Sequence, residues 1–345
     1  MTRWNRRPAA VAAALALALY CAGGAEDSLP RYEVSRPCMG TEFRITVYSD
    51  NTPTEIDTAI EAAFSVAREL DAILSDYRAD SEVGRFHRSP IATPWNLSPA
   101  AAVVLEKACV LSLATGGAFD PARGAQTRLW RMARRTERLP TPAETEAARA
   151  ASGIAQLEWD SDRGTLARES PLTRLDFGGI AKGYAADQML SVLRGHGIPI
   201  ASIAAGGDLR VGDAPPGRKG WRVTVRPRGD SDEGALTIEL RNAAVSTSGN
   251  TEQHIEIEGA LYSHIIDPAT GLGMTSARAA SVIAPTATES DALATALCIV
   301  GKPGLASFVT PRKGCAGVVF NAPDGSEEPA SAAFTAHFES FLIEE

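Results

Sequence analysis

Asp291 and Thr295 stand four positions apart in this chain. On a helix that spacing puts their oxygens on one face. A carboxylate, a hydroxyl and a nearby backbone carbonyl are hard donors that suit Mg²⁺ bridging phosphate oxygens. The plain structural reading is that aspartate is common in a first helical turn and a mid-helix threonine bonds its own backbone. A second stretch, Leu175-Asp176-Phe177-Gly178-Gly179-Ile180-Ala181-Lys182-Gly183, reads as the end of a short apolar strand, Leu172 to Phe177, bending at two glycines into a helix. Glycine N–H groups, a helix start and the Lys182 ammonium together make a seat for phosphate. The alternative is an ordinary strand-to-helix turn with a surface lysine, since the glycines fit neither the P-loop nor the dinucleotide fingerprint. His264, one of five histidines, is a candidate base because imidazole titrates near neutrality; as a lone histidine it also has a structural reading.

The elements that must position these groups are legible in turn. Tyr32 to Tyr48 reads as paired strands around Cys38-Met39-Gly40-Thr41, with Phe43, Ile45 and Val47 alternating against Arg44 and Thr46. Thr52, Pro53 and Glu55 open a long helix through a capping box, its apolar face formed by Ile56, Ala59, Ile60, Ala63, Val66, Leu70, Ile73 and Leu74. Ser75 to Glu82 breaks the pattern as a loop. Helices follow from Ser98-Pro99 to about Thr115 and from Thr141-Pro142, with Ala118-Phe119-Asp120-Pro121 as a turn between them. Ala181, Ala185, Met189 and Val192 give the helix after the glycine pair its buried stripe. Beyond it the chain turns mainly to strands at 200–204, 221–226, 236–240, 254–257, 279–284 and 316–320. Glycine-rich turns are expected at 205–208 and 246–249, and a helix from about Ser290 to Val300. Strand runs with inserted helices, and no linker or repeat, predict an α+β fold in a single compact unit of mixed sheets.

Composition narrows the function classes. A chain of 345 residues with 44% hydrophobic and 22% charged residues can bury a large core. Its net charge of −8 argues against nucleic acid as a partner. Arg3, Arg6 and Arg7, the apolar run Ala9 to Leu19 and the small residues Ala22 to Ala25 form an export leader, so residues 1–25 are expected to be a signal peptide or lipoprotein leader. No acidic residue precedes Glu26, so loss of the three arginines takes the charge from −8 to −11. Cys21 offers a lipidation site, although bulky Tyr20 precedes it. Cysteines 38, 109, 298 and 315 match no zinc spacing; the last three read as small hydrophobes.

Seven clusters occur in one order: Met39-Gly40-Thr41, Ala118-Phe119-Asp120, Leu175 to Asp187, Gly206-Gly207-Asp208, Ser246-Thr247-Ser248-Gly249, His264 to Gly271, and Asp291 to Leu297. In this the chain resembles the FAD:protein FMN transferases, the ApbE-like flavin transferases of the bacterial periplasm, over about residues 31 to 320, which implies one such domain at 31–340. The resemblance implies an enzyme that binds FAD with Mg²⁺ and passes FMN to a threonine or serine of an acceptor protein, releasing AMP. It implies FAD contacts at Met39, Tyr77, Ala118, Phe119, Asp120, Asp176, Lys182 and Ile265. It also implies metal contacts at the Gly179 carbonyl, Asp291 and Thr295, and acceptors among subunits of membrane redox complexes. His264 is the candidate base, with Asp267 next. Two positions depart from the pattern: Thr251 stands where an aromatic is frequent, and Ala204-Ala205 where an asparagine often precedes Gly-Gly-Asp. Two rival readings are a hydrolase splitting FAD with water and a non-catalytic exported FAD-binding lipoprotein. Metal ligands at a pyrophosphate argue against the second.

Overall fold

Phe43, Ile45 and Val47 are fully buried and their alternate neighbours face the other way, as a half-buried strand requires. They belong to an eight-stranded antiparallel sheet in a computed structural model of the chain, which describes residues 29–226, 234–249, 254–276, 278–321 and 331–343. The expected leader, Cys21 and Thr251 lie outside those residues. The strands are β1 (Arg31–Cys38), β2 (Thr41–Tyr48), β3 (Ala201–Ala205), β4 (Asp208–Val211), β5 (Ala244–Gly249), β6 (Arg278–Ala284), β7 (Ala316–Asn321) and β8 (Ser331–Phe334). They pair strictly in chain order. The principal helices, and the loop 263–274 that borders the site described below, are inserted between neighbouring strands of this sheet.

The principal helices are α1 (Pro53–Leu74), α2 (Pro99–Ala114), α3 (Gly124–Thr136), α4 (Pro142–Ala150), α5 (Ala181–Gly195) and α6 (Ala287–Val300). Capping boxes at Thr52/Glu55 and Thr141/Glu144 start α1 and α4, as the sequence predicts. The buried face of α1 uses Phe64 and Ala67, while Val66 and Ile73 are only half-buried, so the apolar stripe is rotated slightly from the expected one. Alternation along β6 splits the core. Ala280, Val282 and Ala284 pack toward α5 and α6, whereas Ala279 and Ile283 face a second cluster with Ile238, Val318 and Phe338. The four described cysteines are free, and Cys109 is only partly buried.

Several local expectations change. Residues 172–177 form no strand: their backbone is paired one bond at a time with loops, Gly124 N–H to Arg174 O and Asp176 N–H to Pro121 O at 3.1 and 2.7 Å. The segment 246–249 is not a turn but the end of β5, because Ser246 to Gly249 continue the ladder with β6. Helix α3 has no counterpart in the sequence reading. Among the described residues no helix is long and apolar enough to cross a membrane.

Candidate active site

The floor of the site is the crossing of α5 and α6. A Cβ on Gly183 of α5 would collide with the Ala287 carbonyl of α6 and reach within 3.0 Å of Asp291 Cβ, so only glycine permits this approach. Asp187, one helical turn on, clamps the same crossing. Its Oδ1 accepts from Ala287 N–H at 3.0 Å, and its Oδ2 accepts from the Thr288 N–H and hydroxyl at 2.8 and 2.6 Å. That carboxylate also pairs with Arg210 at 2.8 Å. The clamp puts Lys182 Nζ 3.3 Å from Asp208 Oδ2 and 3.5 Å from Asp291 Oδ2. The Lys182 ammonium also donates to Gly178 O at 3.2 Å, and Gly183 N–H donates to Asp291 Oδ2 at 3.2 Å. Asp208 arrives from the turn between β3 and β4, where Gly206 takes a φ of +65°.

Burial opposes the Lys182 charge, but Asp208 and then Asp291 outweigh it and hold the ammonium above the usual lysine range. Burial and the Asp208 carboxylate push Asp291 up to about 7, against the pull of Lys182 and Gly183 N–H. Two buried carboxylates share one ammonium, and Asp208 Oδ2 makes that ion pair without a well-aligned hydrogen bond. The corner therefore has room for a further positive charge. Its remaining donors are oxygens. Thr295 Oγ1 lies 3.3 Å from Ser248 Oγ, and a Cβ on Gly179 would stand 3.0 Å from Thr295 Oγ1. Among the described residues no three His, Cys, Asp or Glu side chains converge on a metal position. One carboxylate with a carbonyl and a hydroxyl is nonetheless a set that fits Mg²⁺, which keeps water and phosphate oxygens in its shell. The sequence pair Asp291/Thr295 thus lies on one helix face at the site, but Asp291 is buried rather than exposed.

The rim is built differently. Arg131 of α3 pairs with Asp76 and, at 3.5 Å, with Asp176. Its guanidinium lies 4.0 Å from the Tyr77 ring centroid, and Tyr77 is 77% exposed. Burial and the Asp176 charge raise Asp76 to about 6, while Arg131 pulls it down. Asp176 Oδ1 accepts from Gly178 N–H at 2.8 Å, which shapes the glycine turn. Asp120 spends its carboxylate on Ser112 Oγ and on the Ala122 and Ile154 N–H groups, at 3.1, 2.8 and 3.1 Å. Loop 263–274 closes the rim: Trp130 Nε1–H donates to Ser263 O at 2.9 Å and the Gln126 amide to Pro268 O at 3.2 Å. His264 is exposed on that loop.

Floor and rim enclose a cleft of about 930 Å³, near the top of the range for ligand pockets. Tyr77, Ala118, Phe119, Asp120, Asp176, Gly179, Lys182, His264, Ile265, Asp291 and Thr295 all line it. Met39 does not: it occupies the β1–β2 turn at a φ of +49° and packs on the core, leaving Thr41 to face the cleft. Asp267 is also outside the lining, with its Oδ1 turned to Ala269 N–H at 2.9 Å. The sequence reading missed Arg131 and Arg134, which come from α3, and gave Asp208 no role of its own. An arginine every three or four residues with no acid across 124–136 was the available signal.

An ammonium at a helix start, at one end of a cleft of this size, is an arrangement that suits a phosphate ester, and the family gives the class as a transferase enzyme. The chain belongs to the ApbE family, whose pattern matches residues 39–319. It is 31% identical over 296 residues to the FAD:protein FMN transferase of Treponema pallidum, covering 81% of this chain and 81% of that relative. To the FAD:protein FMN transferase of Vibrio cholerae it is 30% identical over 322 residues, covering 90% and 94%. The structure of the Pseudomonas stutzeri flavinyl transferase ApbE, apo form, superposes with a TM-score of 0.81 at 26% identity, covering 92% of this chain and 99% of that one. The flavin transferase ApbE of Vibrio cholerae gives 0.80 at 25% identity, covering 91% and 100%. The mixed helix-and-sheet architecture is shared with both of these structures.

Proposed function

We propose that this chain transfers FMN from FAD to a threonine or serine hydroxyl of an acceptor protein and releases AMP. The observation that carries the reading is the Lys182–Asp208–Asp291 corner in a dinucleotide-sized cleft of an ApbE-family chain. In the proposed step the hydroxyl oxygen attacks the FMN phosphorus, a new P–O bond forms, and the P–O bond to AMP breaks. Such a transfer depends on positioning and charge neutralisation more than on covalent help. Lys182 holds the pyrophosphate at the start of α5. His264 on the rim takes the hydroxyl proton. Tyr77, Phe119 and Ile265 supply apolar surface for the ring system, with Ala118, Asp176 and the Asp120 backbone beside them; Met39 contributes through the turn that sets Thr41.

Mg²⁺, held by the Gly179 carbonyl, Asp291 and Thr295, would supply neutralisation of the pyrophosphate charge. Export follows from the leader, with residues up to about Ala25 removed or Cys21 acylated, and places the enzyme at the periplasmic side beside redox-complex subunits that accept FMN. Incubation with FAD, Mg²⁺ and an acceptor protein tests the reaction. Flavinylated acceptor supports the reading; free FMN with AMP makes the chain a hydrolase, and unchanged FAD makes it a binder. Mass spectrometry of protein from its native host tests the leader, and an intact Met1 on cytoplasmic protein overturns export.

A further inference from the structure

His87 lies at the end of a short helix, Glu82–Phe86, and its side chain is buried outside the cleft. Its Nε2 accepts a hydrogen bond from Leu175 N–H at 2.8 Å. A backbone N–H can only donate, so Nε2 must be the bare nitrogen and the ring proton sits on Nδ1. Nδ1 is buried with no hydrogen-bond partner. An orphaned buried donor is costly, and an apolar side chain of similar size would avoid it. What the ring provides in return is the one acceptor for the backbone of residue 175.

The consequence runs directly into the site. Leu175 precedes Asp176, whose carboxylate shapes the Gly178 turn and meets Arg131. The flanking bonds come from Gly124 N–H to Arg174 O and from Asp176 N–H to Pro121 O. His87 is therefore one of three pins on a segment that belongs to neither a strand nor a helix. The backbone that carries the ring is itself anchored: buried Arg168 donates to the carbonyls His87 O and Ser89 O, both at 2.9 Å. Burial first, and then the charges of Arg174, Arg168, Arg128 and Arg88, keep the imidazole neutral, with its pKa pushed down to about 3.

We propose that His87 is a positioning residue for flavin transfer, its Nε2 acting as the acceptor that holds the Arg174–Gly178 segment in register beneath the cleft. The inference rests on the proposed transfer reaction for its kinetic effect. Lys182 and Asp291 are set chiefly by the α5–α6 crossing, with Gly178 O as one further partner of Lys182, so loss of the pin falls mainly on the FAD seat and only weakly on the reacting corner. His87→Leu removes the acceptor, whereas His87→Gln keeps an oxygen near the Nε2 position. The expected result is a KM for FAD raised roughly tenfold in His87→Leu with kcat within about twofold, and restoration toward wild type in His87→Gln. Equilibrium binding of FAD, read by flavin fluorescence, is expected to weaken by the same factor. Nitrogen NMR of wild-type protein with labelled histidine should show one imidazole with bare Nε2, protonated Nδ1 and no titration down to about pH 4.5.

A wild-type KM and FAD affinity in His87→Leu overturn the proposal, as does an imidazole protonated at Nε2. If His87→Leu does not fold, His87→Gln and the wild-type tautomer decide. Wild-type protein that binds FAD but transfers nothing refutes the transfer reading, and the tautomer and binding measurements still decide the pin.

Discussion

The two ends of the cleft are made to different plans. At the floor, Lys182 and Asp291 are fixed by a helix crossing that tolerates only glycine at 183 and is clamped by Asp187, and Asp208 meets them from the β3–β4 turn. At the rim, Tyr77, Arg131, Asp176 and His264 come from loops and one helix tied together by single long-range bonds. Charges held by rigid elements need no rearrangement when a charged ligand arrives, which is what electrostatic stabilisation of a phosphoryl transfer requires. In the proposed reaction, a rim built on exposed Tyr77 and half-buried Arg131 is the part free to adjust to a ring system and a protein acceptor. The molecule thus separates fixed charge from adaptable recognition.

Changes at the two ends should separate chemistry from binding. The largest effect is expected at His264: His264→Asn should slow single-turnover transfer at saturating FAD by about 10²–10⁴-fold, the usual worth of a general base, with FAD affinity unchanged. A near-normal rate there would move the proton elsewhere, although Asp267 faces its own turn rather than the cleft. At the floor, Asp291→Asn keeps the size and the Gly183 contact but removes a charge. Transfer should fall by about 10²–10³-fold, the range for losing one group that stabilises a developing oxyanion. Full activity without added metal would sink the ligand assignment.

The rim offers a test by pH. Asp76 is raised from 3.8 to about 6 by burial and Asp176, so between those values the folded state holds a proton that the unfolded state has released. That contribution to stability is present below about pH 4 and is lost as pH rises through 6. Relative to Asp76→Asn, the wild type should lose roughly 2–3 kcal/mol across this window, measured by urea unfolding at each pH. Parallel curves for the two proteins would remove Asp76 as the source. The smallest effect is expected for Arg131→Met, which leaves Asp76 and Asp176 facing each other without a cation. FAD should bind roughly tenfold more weakly while saturated turnover changes little; an equal fall in kcat would erase the distinction between floor and rim.

Much of this was legible in the residues. Capping boxes at Thr52 and Thr141 and the i, i+4 pair Asp291/Thr295 are local signals, and the structure contains them as read. The segment 172–177 misled because Leu175 and Phe177 are buried in the main core although their backbone joins no ladder, and burial without a ladder looks like a strand in sequence. Ser246 to Gly249 misled in the opposite direction. Small polar residues suggest a turn, but here they face Ser281, Ser290 and Thr295 across packed elements. Helix α3 was hidden by its arginines, which dilute the apolar stripe carried by Ala125, Trp130 and Ala133. The pin from His87 to Leu175 joins residues 88 apart in sequence and leaves no periodic trace.

The order of the sheet has a consequence for how the molecule is made. Seven of its neighbouring strand pairs follow the chain, yet one of them, Phe43 against Ala205, must wait for about 160 intervening residues to organise. Hairpins such as β1–β2 can zip early, whereas this seam closes late because its entropy is lost before its contacts are gained. Thr41 and Gly206 meet just beyond the seam, on the edge of the cleft. Pulse-labelling hydrogen exchange during refolding should find β1 and β2 protected before the β2–β3 amides. FAD added at that early moment should find a chain with strands and helices and no place to bind.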